Sequence, residues 1–248
     1  MSAMINNLLQ LITYGSAIVF IAFFIRAMTG FGSALISIPL LALLFDLKTV
    51  VPLEAVLEVA ISLLLLRTVY RDIDRRTLLP MIAGVALGSL LGVYGLTTVG
   101  TSTLKRVFGV AIIGYALYLV TNQRETVYRP TSIGWGFVAG FGGGVIGGTV
   151  GTSGPPYVMY LSYRLRDKRI LRATLTALFG IDGLWRIGLF TASGLLTRAV
   201  WWQVIAVLPA LALGTVLGNR AHLNISQPRF LQLVAAVLGV AGLLLIVG

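Results

Sequence analysis

The residues of this chain best suited to bind a ligand lie between Phe141 and Tyr160, in the run FGGGVIGGTVGTSGPPYVMY. Seven glycines crowd into it: Gly142, Gly143, Gly144, Gly147, Gly148, Gly151 and Gly154. The run reads as a break between two apolar segments, where a ligand can approach the main chain closely. Pro155 and Pro156 suit the opening positions of a helix, where a missing N–H is no loss, with Ser153 or Gly154 as its cap. A helix N-terminus carries partial positive charge, so the amides of Gly151 to Gly154 with the hydroxyls of Thr152 and Ser153 make a seat for an anion. Because two prolines remove two backbone donors, those hydroxyls and amides must do more of the binding.

Charged residues are few, and their spacing limits what they can do. Asp182 and Arg186 stand four apart and touch if helical, which neutralises both. They read as a structural pair, with Arg186 the leading side chain to attract an anion. Glu54 and Glu58 are also four apart, and two carboxylates in a low dielectric favour a proton on one of them. Glu54 is expected in water at the outer end of its helix, so Glu58 is the better proton carrier. Arg26 is either a charge on a pathway or a side chain that snorkels to the membrane interface. Ser37 and Ser153 serve as anion donors or, alternatively, as a cap or a back-bond to the preceding turn, and the anion role suits Ser153 better.

The composition places these groups in a membrane. Of 248 residues 57% are hydrophobic and only 11% charged, and the mean hydropathy is +0.94. Soluble domains carry roughly 25% charged residues. The apolar segments have helical length and no alternating pattern, which favours a helical bundle over a barrel. With no cysteine and a single histidine, His222, no metal centre and no cofactor are expected. The N-terminal MSAMINN has no basic stretch ahead of its apolar run, so no cleaved leader is expected. The net charge of +11 sits in short loops, as the positive-inside rule requires, and argues against nucleic acid as a partner. Trp135, Trp201 and Trp202 read as interfacial anchors.

Ten apolar segments are expected, at 8–26, 33–45, 50–69, 78–97, 103–122, 133–146, 155–165, 172–192, 200–218 and 228–247. At 1.5 Å per residue, 133–146 and 155–165 reach roughly 21 and 16 Å against a hydrocarbon core of about 30 Å, so neither crosses alone. The pair is either one broken crossing or a hairpin that enters and leaves on one side. The two most basic loops decide between these: Arg67, Arg71, Arg75 and Arg76 in one, and Arg164, Arg166, Lys168, Arg169 and Arg172 in the other. Only the hairpin puts both on one side. Adding Arg124, Arg129, Arg220 and Arg229, thirteen basic residues then face the cytoplasm, against Lys48, Lys105, Arg106 and Arg198 outside. Both termini then lie outside.

The ten segments form two sets of five. Gly32, Ser37 and Pro39 recur 116 positions later as Gly148, Ser153 and Pro155. The expected fold is therefore an all-α polytopic membrane protein of two inverted repeats, 1–124 and 125–248, each a broken-helix hairpin followed by three full transmembrane helices. Secondary transporters are often built this way, with the site near the midplane where the interruptions face each other. Here those are Gly30 to Pro39 and Gly147 to Pro155.

The runs GFGSALISIP and GGGVIGGTVGTSGPP, together with the basic loop before a glycine-rich third span, resemble the TauE/SafE sulfite exporter family. The resemblance covers nearly the whole chain. The first motif departs from the triple-glycine form, with Ser33 and Ala34 where glycines are common. The resemblance implies that the proline-ended glycine stretches line a pathway for small sulfur-containing anions such as sulfite and sulfonates. The expected substrate site is Ser37, Pro39, Gly151, Thr152, Ser153, Gly154, Pro155 and Arg186, with Arg26, Glu58 and Asp182 on the pathway or in coupling. The expected protein is a carrier in the inner (cytoplasmic) membrane, monomeric or homodimeric, that exports its anion on the membrane potential or a proton gradient. No Walker motif is present for ATP. An anion channel is the alternative. An intramembrane enzyme is disfavoured because Ser153 has no His or Lys partner in its sequence context.

Overall fold

A backbone buried in hydrocarbon must satisfy its own hydrogen bonds, and each apolar segment does so as a helix. The computed structural model describes residues 11–121, 131–221 and 227–247. Arg124, Arg129, His222, the side chain of Arg229 and the outermost residues of both termini lie outside the described residues, as does the expected orientation of the termini.

Ten α-helices follow one another among the described residues: α1 Ser16–Thr29, α2 Ser33–Leu44, α3 Leu47–Val69, α4 Arg75–Thr98, α5 Thr101–Thr121, α6 Gly134–Val150, α7 Gly154–Arg164, α8 Lys168–Ala192, α9 Arg198–Arg220 and α10 Gln227–Val247. They match the ten expected segments one for one. Five of them, α3, α4, α5, α8 and α9, are long and apolar enough to cross a membrane. At 21 residues α10 reaches about 31 Å, the length of a sixth. The chain is a multi-pass helical membrane protein.

The helices gather into two compact units, and each unit draws on both halves of the sequence. The first comprises Met1–Val50, Val99–Glu125 and Trp201–Gly248, and so holds α1, α2, α5, α10 and nearly all of α9. Here α1 and α2 form a hairpin around Gly30 and Gly32, both with positive φ (88° and 98°). Gly30 closes α1 by donating its N–H to the Arg26 carbonyl at 2.7 Å. Small residues let the helices of this unit approach closely: Gly109 of α5 and Gly242 of α10 face each other's carbonyls.

The second unit comprises Val51–Thr98 and Thr126–Val200, and so holds most of α3 with α4, α6, α7 and α8. Its densest packing joins α4 to α6 through two interlocked glycine rows. Gly84, Gly88 and Gly92 of α4 lie on the carbonyls of Phe137, Phe141 and Val145, while Gly140, Gly144 and Gly148 of α6 lie on those of Met81, Val85 and Ser89. A methyl group at any of the six would overlap the facing backbone. This corrects the expected extent of the break: the glycine run through Gly148 is a continuous helical ridge, and α6 runs to Val150 rather than 146.

The basic loops of this unit meet. Asp72 lies 3.9 Å from the Arg169 guanidinium, the Asp74 N–H donates to Thr174 Oγ1 at 3.0 Å, and Arg164 Nε donates to Thr77 Oγ1 at 3.0 Å. Arg164 also donates to the Thr131 carbonyl at the entry to α6, and Tyr160 packs on Gly136. The start of α6 and the end of α7 are therefore neighbours. The pair is a hairpin that returns to the side it entered, as the charge pattern requires.

Candidate functional site

The turn between α6 and α7 consists of three residues. Gly151 takes φ 81°, a conformation open mainly to glycine, and closes α6 by donating its N–H to the Gly147 carbonyl at 2.9 Å. Thr152 and Ser153 follow, and α7 starts at Gly154 with Pro155 in its first turn. Ser153 holds the N-cap position but makes no cap hydrogen bond. Its hydroxyl donates instead to Asp182 Oδ2 at 2.8 Å. The first turn of α7 is thus left without a side-chain cap, and of its first three residues only Gly154 carries an N–H, the next two being Pro155 and Pro156.

Asp182 is the centre of this arrangement. It is fully buried near the middle of α8, and Ser89, near the middle of α4, donates to its Oδ1 at 3.3 Å. Arg186 Nε lies 3.3 Å from the same oxygen, a charge contact rather than an aligned hydrogen bond. Arg186 Nη1 donates to the carbonyls of Gly147 (3.0 Å) and Gly151 (3.4 Å), where the last turn of α6 concentrates negative charge. The break therefore sits at mid-height of two long helices. A buried carboxylate holds its serine, and a buried guanidinium seals the helix end.

One donor in this turn is unspent. Thr152 is 4% exposed, and its hydroxyl has no hydrogen-bond partner among the described residues. A buried hydroxyl left unpaired costs on the order of 1–3 kcal/mol, a cost that a ligand accepting from it removes. Tyr157, fully buried, packs on Gly143 and lies against Phe179 with ring centroids 5.8 Å apart, which walls the turn on its other side.

The first unit has its own break. Arg26, 1% exposed, donates from Nη1 to Ser33 Oγ at 3.1 Å, and α2 begins behind Gly32 with no side-chain cap. Ser37 lies one turn inside α2, where its hydroxyl donates to the Ser33 carbonyl at 2.9 Å. Pro39 is interior to the same helix, whereas Pro155 opens α7. Gly30 and Gly151, both with positive φ, end α1 and α6 and stand 121 positions apart, against the 116 that separates Gly32, Ser37 and Pro39 from Gly148, Ser153 and Pro155. Glycines and prolines recur often enough in membrane helices to align five residues out of step.

Of the expected residues, Gly151, Thr152, Ser153, Gly154, Pro155, Asp182 and Arg186 come together at one turn. Glu54 and Glu58 lie on α3, 1% and 4% exposed, in the stretch whose Ala55 and Val59 pack on Gly183 beside Asp182. The expectation of water around Glu54 is corrected, because α3 starts at Leu47 and carries it two turns inward. Trp135, Trp201 and Trp202 are exposed in the first turns of their helices, as interfacial anchors are. Sequence reasoning missed Ser89, Ser33 and Tyr157. A lone serine beside Gly88 in an apolar helix, and a tyrosine directly after two prolines, were the available signals.

The family described as Sulfite exporter TauE/SafE matches residues 16–245. The "Probable inner membrane transporter protein TsaS" of Comamonas testosteroni is 27% identical over 178 residues, covering 70% of this chain and 73% of that protein. The "Probable sulfite/organosulfonate exporter TauE" of Cupriavidus necator is 28% identical over 203 residues, covering 79% and 78%. No solved structure matches the chain.

Proposed function

Because this chain belongs to the sulfite exporter TauE/SafE family, we propose that it is a secondary transporter of the inner membrane that exports a small sulfur-containing anion, sulfite or an organosulfonate. The observation that carries this reading is the α6–α7 turn: an uncapped helix N-terminus at mid-height of the helices, beside a buried Thr152 hydroxyl with no hydrogen-bond partner among the described residues. An anion in that turn accepts from the Gly154 N–H, the amides of Thr152 and Ser153 and the Thr152 hydroxyl, Pro155 and Pro156 having no N–H to offer, and the partial charge of the helix end favours it.

Selectivity for an oxyanion follows from the same donors. Amides and a hydroxyl present hydrogens in a fixed fan, which matches the several oxygens of a sulfite or sulfonate group better than a spherical halide. Asp182 limits the charge the turn accepts. Its carboxylate, one hydrogen bond from Ser153, opposes a second negative charge, while Arg186 offsets it. Within the first unit, Ser37 and Pro39 lie inside α2, where the Ser37 hydroxyl donates to the Ser33 carbonyl and Arg26 donates to Ser33 Oγ.

Reconstitution in liposomes tests the reading directly. Purified protein should show saturable counterflow of radiolabelled sulfite or a sulfonate, competed by other sulfur oxyanions and weakly by carboxylates. Unitary currents in place of counterflow would make it a channel, and no flux of any sulfur anion would refute the substrate class.

A further inference from the structure

A cavity of about 360 Å³ lies between α3, α4 and α8, at the end of the second unit where the basic loops meet. Its walls are almost wholly apolar, with Leu63, Leu66, Leu79 and Leu184 among them, and Gly180 packs on Ser62 in the same lining. Leu63, Leu79 and Leu184 are 52%, 67% and 53% exposed, so the cavity opens sideways to whatever surrounds the helices. On a membrane-crossing bundle that surrounding is acyl chain.

The cavity has one charged residue at its rim, Arg75. Nearby acids are committed elsewhere: Asp74 accepts from Thr77 Oγ1 at 2.6 Å and from the Arg76 N–H, and Asp72 lies on Arg169. The Arg75 side chain is exposed and makes no hydrogen bond or ion pair with any described residue. An apolar slot of this kind, open to lipid and headed by an uncommitted guanidinium at a basic end, matches a phospholipid in both its parts: chain below, phosphate above.

We propose that this groove binds one anionic phospholipid of the leaflet on the basic side, with an acyl chain between α3, α4 and α8 and its phosphate on Arg75. The guanidinium forks onto phosphate oxygens, and the slot shields part of the chain from competing lipids. A zwitterionic lipid fills the slot equally well but brings its own cation to the headgroup, so charge rather than chain sets the preference.

Native mass spectrometry of the full-length detergent-purified protein, titrated with phosphatidylglycerol or phosphatidylcholine of matched chains, tests this. The expected result is one phosphatidylglycerol bound per chain at a concentration about five- to tenfold below that for phosphatidylcholine. Arg75→Gln should erase the preference, Arg76→Gln, which removes an equal charge outside the groove, should keep it, and Leu184→Trp should fill the slot and weaken both lipids. Equal binding of the two lipids, or an Arg75→Gln variant that still prefers phosphatidylglycerol, overturns the proposal. So does equal loss in the Arg75 and Arg76 variants, which would assign the preference to diffuse charge. A dimer that Leu184→Trp dissociates would give the groove to a second copy instead.

Discussion

Thr152 and Ser153 are adjacent hydroxyls with different commitments, and substitutions should separate them. Thr152→Val removes a donor with no partner among the described residues, so fold stability should hold while substrate affinity falls. Losing one hydrogen bond to a charged ligand costs about 1.5–3 kcal/mol, or roughly ten- to a hundredfold in affinity. Ser153→Ala strips Asp182 of its 2.8 Å donor and should also lower the unfolding midpoint. Calorimetric titration with sulfite, paired with thermal unfolding in detergent, reads both effects. Unchanged affinity in the Thr152 and Ser153 double variant would move the site elsewhere and leave the turn as a hinge. The Asp182 and Arg186 pair behaves as a unit. Arg186→Met alone leaves a buried carboxylate without its cation and should destabilise by about 3–5 kcal/mol, whereas the double change with Asp182→Asn should cost less. A double-mutant cycle on unfolding measures that coupling. If Glu58 carries protons, Glu58→Gln should abolish proton-driven flux and spare substrate exchange, with Glu54→Gln, also buried, as the comparison. Full proton-driven flux in Glu58→Gln would remove it from that role.

At the scale of elements, the glycine rows between α4 and α6 hold the turn in place. Gly88→Ala and Gly140→Ala each push a methyl into a facing carbonyl and should force the helices apart, at about 1–3 kcal/mol each. Gly142, two residues from Gly140 on α6, has nothing within 4 Å of an added methyl. Gly142→Ala should therefore be neutral or stabilise by about 0.5–1 kcal/mol through helix propensity. Thermal unfolding of the three variants distinguishes a packed ridge from a flexible glycine hinge, since a hinge would lose transport in Gly142→Ala as well. The prolines act oppositely in the two hairpins: Pro155 opens α7, while Pro39 interrupts hydrogen bonding within α2.

At the scale of the molecule, the contacts between the basic loops place residues 70–74 and 165–167 at one end of the second unit. The chain has no cysteine, so single cysteines at Arg71 and Arg166 can be labelled without background. Both should react with a membrane-impermeant maleimide from the same face, the cytoplasmic one by charge. Reaction from opposite faces would break the hairpin and the inverted-repeat reading built on it.

Hydropathy and charge along the chain determined the class, the ten helices and the hairpin, because lipid admits so few backbone solutions and loop charge reports side directly. The Asp182 and Arg186 contact was legible for a similar reason, four residues being one helical turn. What only the tertiary structure decided concerns partners far apart in sequence. Glycine letters look alike whether they unwind a helix or let two helices meet, and only the α4 backbone facing Gly140, Gly144 and Gly148 makes them a ridge. Serine letters look alike whether they cap a helix or bind a carboxylate, and Ser89 and Ser153 reach Asp182 across 93 and 29 positions of chain. The Thr152 hydroxyl belongs to the same accounting, since only the three-dimensional neighbourhood shows that it has no hydrogen-bond partner among the described residues.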